Sequence, residues 1–174
     1  MLRETSNTKS QAAHVAFGSF SYGDPCALQR CGSAQAALSM FVGKWQVHGY
    51  NEPITPEGRR TEVAGSQEYE WMPGRFFISG RWDHHFGDGT HRGLSVLGID
   101  PDYGDTFAHH YDNLGYARQY KLELHGRIWT FQGEAERATY EFDADCTSYR
   151  ELWELTRDGE SWRPLCVLEA HRLL

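Results

Sequence analysis

The sequence predicts an all-β fold: an antiparallel up-and-down barrel of about ten strands, preceded by one short helix. Three observations carry this expectation. From Trp45 onward, short segments with alternating apolar and polar residues follow one another, separated only by turn-forming residues. In most of these segments one parity class is strongly apolar, so each strand has a single face to bury. A meander of this many strands also leaves two long edges, which closure into a barrel removes.

Composition bounds the reading. The 174 residues are one domain's worth and long enough for a sizeable core. Aromatic residues form 14% of the chain and hydrophobic ones 40%, which excludes disorder for most of the length. A net charge of −7 argues against nucleic acid or an anionic membrane surface as the main partner. Only Lys9, Lys44 and Lys121 among the 17 basic residues are lysines, an arginine bias that points to a GC-rich bacterial genome.

Residues 1–32 mix Ser, Gly, Asn and isolated aromatics without periodicity, and are expected to form a flexible or loosely docked leader to a single domain over 33–174. The polar start, Met1 to Lys9, is a poor secretory signal, and no segment reaches the roughly 18 apolar residues of a membrane helix. A soluble, cytoplasmic chain is therefore expected. Cys26, Cys31, Cys146 and Cys166 are expected as free thiols, as suits a chain with a full core in a reducing compartment, and the Cys26/Cys31 pair lacks a second close pair to complete a zinc site.

Ser33 is a good helix N-cap, the alanines after it favour helix, and Leu38 with Phe41 gives an apolar face, so a short helix should end near Gly43. Strands follow over 44–51 and 65–72, the latter stopped by Met72-Pro73-Gly74. The next strand, 75–86, places Phe76, Ile78, Gly80, Trp82, His84 and Phe86 on one face and ends at Gly87-Asp88-Gly89. Strands 91–99 and 105–112 are separated by Asp100-Pro101-Asp102-Tyr103-Gly104. After Asp112-Asn113-Leu114-Gly115 comes strand 115–125, and over 114–124 the apolar parity holds Leu114, Tyr116, Arg118, Tyr120, Leu122 and Leu124. His125-Gly126 leads into 127–133, and strand 136–143 turns Ala138, Tyr140 and Phe142 inward. Strand 148–156 does the same with Tyr149, Glu151, Trp153 and Leu155, and Arg157-Asp158-Gly159 precedes the last strand, 162–172.

Gly43-Lys44-Trp45 at the entrance to the first strand, paired with Arg172 on the last, resembles the calycin superfamily of lipocalins, fatty-acid-binding proteins and nitrobindins. The resemblance implies that Arg172 covers Trp45 and closes one barrel end, a contact worth on the order of 1 kcal/mol as a cation–π pair. Four ordered blocks, Glu68–Phe76, Leu97–Asp102, His110–Tyr116 and Trp129–Glu134, look like domain-of-unknown-function family 1579. Its members are bacterial, calycin-like and without an agreed activity, so the likeness bears on fold more than on function. The His-rich segments depart from that pattern, and the leader has no counterpart in it.

Two histidine doublets stand out. Neighbouring strand residues face opposite ways, so each doublet sends one imidazole inward. Parity selects His84; in 105–112 the inward set is expected to be Phe107, His109 and Tyr111, with His110 the alternative. His84 and His109 could exchange protons with a ligand or bind a metal, or they could be hydrogen-bonded rim residues. No third ligand stands at a metal spacing, which favours the rim reading, and no metal site is predicted.

Arg118 and Glu151 fall on apolar faces, where a charge requires a partner. They form an ion pair or contact tyrosines, or Arg118, with Tyr111, Tyr116, Tyr120, Tyr140, Trp82 and Glu151 around it, holds the carboxylate or enolate of an apolar ligand. Likeness to nitrobindins raises His171 as a haem ligand, although its parity opposes that of Arg172; apart from haem no cofactor is predicted. The expected function is binding of a small, mostly apolar ligand. The alternative is a cofactor-free isomerase, cyclase or dehydratase in which His84 or His109 does acid/base work. A homodimer, with the leader crossing to a second subunit, is compatible with either. No Gly-x-Ser-x-Gly elbow or phosphate-binding glycine fingerprint is present.

Overall fold

The structure, a computed structural model, describes residues 33–53, 55, 57–100 and 102–173. The expected leader, with Cys26 and Cys31, lies outside the described residues. Cys146 and Cys166 are free thiols.

Helix α1 (Ser33–Ala37) runs into a single 3-10 turn (Leu38–Met40) that delivers Phe41 to the first strand. Ten strands follow: β1 (Gly43–Asn51), β2 (Thr61–Trp71), β3 (Phe77–Phe86), β4 (Gly89–Ile99), β5 (Thr106–Asp112), β6 (Ala117–His125), β7 (Ile128–Gln132), β8 (Glu136–Phe142), β9 (Ser148–Thr156) and β10 (Trp162–Arg172). Each is antiparallel to the next, and β1 pairs with β10 to close the barrel. Strand β2 begins four residues before the expected position 65, because Thr61 to Ala64 pair with Asn51 to His48 of β1 and Val63 enters the core. The register of β10 shifts between Pro164 and Cys166, a bulge at the residue that cannot donate to the ladder.

Alternation sets the faces as expected on β3, β8 and β9. On β6 it holds for Arg118, Tyr120, Leu122 and Leu124, but Leu114 and Tyr116 lie in the preceding turn and are exposed. Strand β5 departs from the reading. Ala108, His110 and Asp112 face the lumen, and Phe107, His109 and Tyr111 face out. Pairing explains it: Ala108 lies opposite Tyr120 and His110 opposite Arg118, so a small residue leaves room for the neighbouring ring. The aromatic bulk that suggested the other face packs outside, where Phe107 meets Phe77 and His109.

The end bearing α1 is filled. Phe41 is fully buried among Tyr69, Trp129, Phe131, Tyr140 and Phe142, with ring centroids 5.2–5.9 Å away. Arg172 lies 4.2 Å from the Trp45 ring centre and donates to the carbonyls of Cys146 (2.9 Å), Met40 (3.2 Å) and Val42. A Cβ on Gly43, whose φ is +142°, would collide with that guanidinium. This accounts for the glycine before Trp45.

Toward the opposite end burial falls off. Trp82, Phe86, Trp153 and Leu155 face inward but are only half-buried, and the side chains of Arg118 and His91 are 30% and 36% exposed. Inward-facing side chains that reach solvent mark an open mouth.

Candidate functional site

Two polar clusters occupy the lumen. The deeper one centres on Gln67 of β2, which uses all four hydrogen-bonding positions of its carboxamide. Its NH2 donates to Glu151 Oε2 (3.0 Å) and lies 3.3 Å from His84 Nε2, while its oxygen accepts from the hydroxyls of Tyr69 (3.4 Å) and Tyr149. With both amide protons assigned in this way, His84 accepts at Nε2 and carries its proton on Nδ1. Glu151 also accepts from Tyr140 Oη (3.0 Å) and from the Trp153 indole. Burial pushes the Glu151 carboxyl above its ordinary range, and the donors from Trp153, Gln67 and Tyr140 offset part of that rise. Burial also raises the Tyr140 hydroxyl and takes the His84 imidazole down to about 4.

The second cluster sits at the mouth, where four strands end or begin. The Arg118 guanidinium lies between Glu136 Oε1 (3.0 Å) and Asp112 Oδ2 (3.4 Å), and His91 Nε2 is 3.3 Å from the same Asp112 oxygen. The other Asp112 oxygen caps the β5–β6 turn, accepting from the backbone N–H groups of Leu114 (2.9 Å) and Tyr116 (3.0 Å). Burial opposes ionisation of Asp112, but the N–H of Tyr116, the His91 ring and the N–H of Leu114 outweigh it and hold its carboxyl below the usual range. Tyr120 donates to Glu136 Oε2 at 3.1 Å, and burial raises its hydroxyl.

His110 connects the two levels. Its ring lies 4.9 Å from Tyr120, 5.4 Å from Trp82 and 5.9 Å from Trp153. Burial, reinforced by the Arg118 charge, lowers it to about 4. Trp82 Nε1 and Ser95 Oγ are buried without a hydrogen-bond partner in this region. Gly93 admits the Trp82 indole, since a Cβ there would run into it.

The sequence-predicted residues divide accordingly. His84, Trp82, Arg118, Tyr120, Tyr140 and Glu151 all face the lumen. Arg118 and Glu151 do not pair with each other; each has its own partners. His109 faces out, Tyr111 is exposed on the outer wall, and Tyr116 stacks on the Arg118 guanidinium from the turn at 4.0 Å. Trp45 and Arg172 meet at the filled end. His171 points outward and stacks on His48, so it does not fit as the ligand of a haem in the lumen. Sequence reasoning missed Gln67, His91, Asp112, Glu136 and Tyr149. Asp112 reads as part of the 112–115 turn and Glu136 as the first residue of its strand, while Gln67 and His91 share the parity of buried neighbours.

No protein-family model matches the chain, and no curated protein matches it in sequence. Solved structures do. Rv2717c from M. tuberculosis superposes with a TM-score of 0.62 at 15% identity, covering 83% of this chain and 100% of that one. The S-type phycobiliprotein lyase CPES from Guillardia theta gives 0.56 at 10% identity, covering 83% and 94%. Among the described residues no helix is long and apolar enough to cross a membrane. At these identities the likeness concerns architecture, and the architecture is a closed, ten-stranded antiparallel up-and-down barrel.

Proposed function

We propose that the mouth half of the barrel binds a small, mostly apolar ligand with a neutral, oxygen-bearing head group. The observation that carries this reading is the combination of an aromatic wall (Trp82, His110, Tyr120, Trp153) with an inward-facing Arg118 that remains 30% exposed. Such a lining, largely aromatic with few polar groups, is that of small-molecule sites. Arg118 already balances its charge against Asp112 and Glu136, which weighs against capture of a ligand carboxylate. A guanidinium carries five N–H donors, more than two ion pairs require, so it can still orient a carbonyl or hydroxyl.

Titration of the full chain with the apolar fluorophore N-phenyl-1-naphthylamine tests this. One saturable site is expected, with affinity falling about tenfold or more in Trp153→Ala, a loss of ~1.4 kcal/mol or greater. Absence of saturable binding, or binding indifferent to both Trp153→Ala and Trp82→Ala, would remove the reading.

A second reading, cofactor-free acid/base catalysis on an apolar substrate, is favoured by His91 and Asp112. The carboxylate holds the imidazole at 3.3 Å, and the ring is 36% exposed to the mouth. That is the arrangement of a base fixed by an acidic partner. In this case His91→Gln should abolish turnover of an isomerisable or dehydratable substrate while leaving its binding intact; equal loss of both would oppose it.

A further inference from the structure

We propose that His48, Glu169 and His171 form a binding site for a divalent transition-metal ion on the outer wall of the barrel, where β1 meets β10. Glu169 and His171 are two positions apart on one strand and share its outer face. His48 lies directly opposite Glu169 in the β1–β10 register. One ligand atom from each residue falls within 4.8 Å of the other two, and His48 Nε2 stands 3.4 Å from Glu169 Oε2. An ion bound tetrahedrally at ~2.0–2.1 Å from imidazole nitrogen and carboxylate oxygen spaces adjacent ligand atoms about 3.3 Å apart. The two imidazoles are already nearly parallel, 9° between planes and 5.5 Å between centroids, so small rotations about their side-chain bonds bring both to one ion.

All three groups stand on neighbouring hydrogen-bonded strands, so binding orders no loop. All three are exposed, which gives an ion direct entry. Two imidazoles and one carboxylate suit Zn2+, Ni2+ or Cu2+ better than Mg2+ or Ca2+, which prefer oxygen. Three protein ligands also leave a position for water or a further ligand. A cleft of about 360 Å³, which includes Glu169 and His171 in its lining, adjoins the site. Arg127 and Arg150 line it as well and favour an anion in the open position.

The test uses the full chain without a histidine tag, titrated calorimetrically with Zn2+, and with Co2+ followed by its visible absorption. One ion per chain is expected, with affinity reduced about 10–100-fold in each of His48→Ala, His171→Ala and Glu169→Gln. The exposed His125→Ala should bind as the parent does. The outer position of all three ligands should leave far-ultraviolet circular dichroism unchanged. Absence of Zn2+ binding at millimolar metal would overturn the proposal. So would undiminished binding by the His48→Ala/His171→Ala double variant, which would place the ion elsewhere on the chain.

Discussion

Gln67 on β2 donates a 3.0 Å hydrogen bond across the lumen to Glu151 on β9. Strands β1 and β10 lie between them in the sheet, so the contact ties together two parts of the wall that share no ladder. Removing the carboxylate leaves the Tyr140, Trp153 and Gln67 donors without their acceptor. Glu151→Ala should therefore cost on the order of 3–5 kcal/mol in urea unfolding. The folded chain also holds the Glu151 proton more tightly than the unfolded chain, whose value is near 4.5. Stability should fall as pH rises from that value through the raised folded one, and Glu151→Gln should abolish this component.

His84 and His110 give a pH dependence of opposite sign. Each drops from 6.5 in the unfolded chain to about 4 in the barrel. Above 6.5 neither state binds the proton; below it the unfolded chain binds first, so stability is lost as pH falls toward 4. The loss should approach ~1.4 kcal/mol per pH unit for each imidazole. Urea midpoints collected against pH should show a shallower acid limb in His110→Phe than in the parent.

Gly43 and Arg172 should be energetically coupled. A side chain at position 43 displaces the guanidinium from Trp45 and from the carbonyls it caps. Gly43→Ala and Arg172→Ala should each cost roughly 2–4 kcal/mol, and the double variant should lose clearly less than their sum. Additive losses would mean that the two residues act independently.

Phe41 plugs the filled end. Phe41→Ala should cost about 3–5 kcal/mol and leave a dry aromatic cavity. If the protein remains folded, it should take up benzene, visible as a benzene-dependent rise in melting temperature.

Much of the architecture was legible in sequence because period-2 alternation and turn residues act locally. His84, Tyr140 and Glu151 could be placed inside from their strand neighbours alone. The β5 face could not, because Ala108 looks like a weak core residue until Tyr120 is known to lie opposite it. Arg118 was visible as a charge in need of partners, but not which ones. Asp112 and Glu136 reach it only through register between strands, and register is a property of pairs. Gln67 was hidden for a similar reason: an amide in an apolar series shows its purpose only when His84 of β3 and Tyr149 and Glu151 of β9 converge on it beside Tyr69 of its own strand.

The pairing of β1 with β10 has a consequence for how the chain folds. Arg172 and Val42 are hydrogen-bonded across 130 residues of sequence, so the last seam joins the first strand to the final one. Contacts of such separation form late, and a fold rich in them assembles over roughly milliseconds to seconds. Until β10 docks, strands β1 to β9 form an open sheet in which the free sides of β1 and β9 are unpaired. The rate at which β10 docks thus sets how long two sticky edges stay open to other chains.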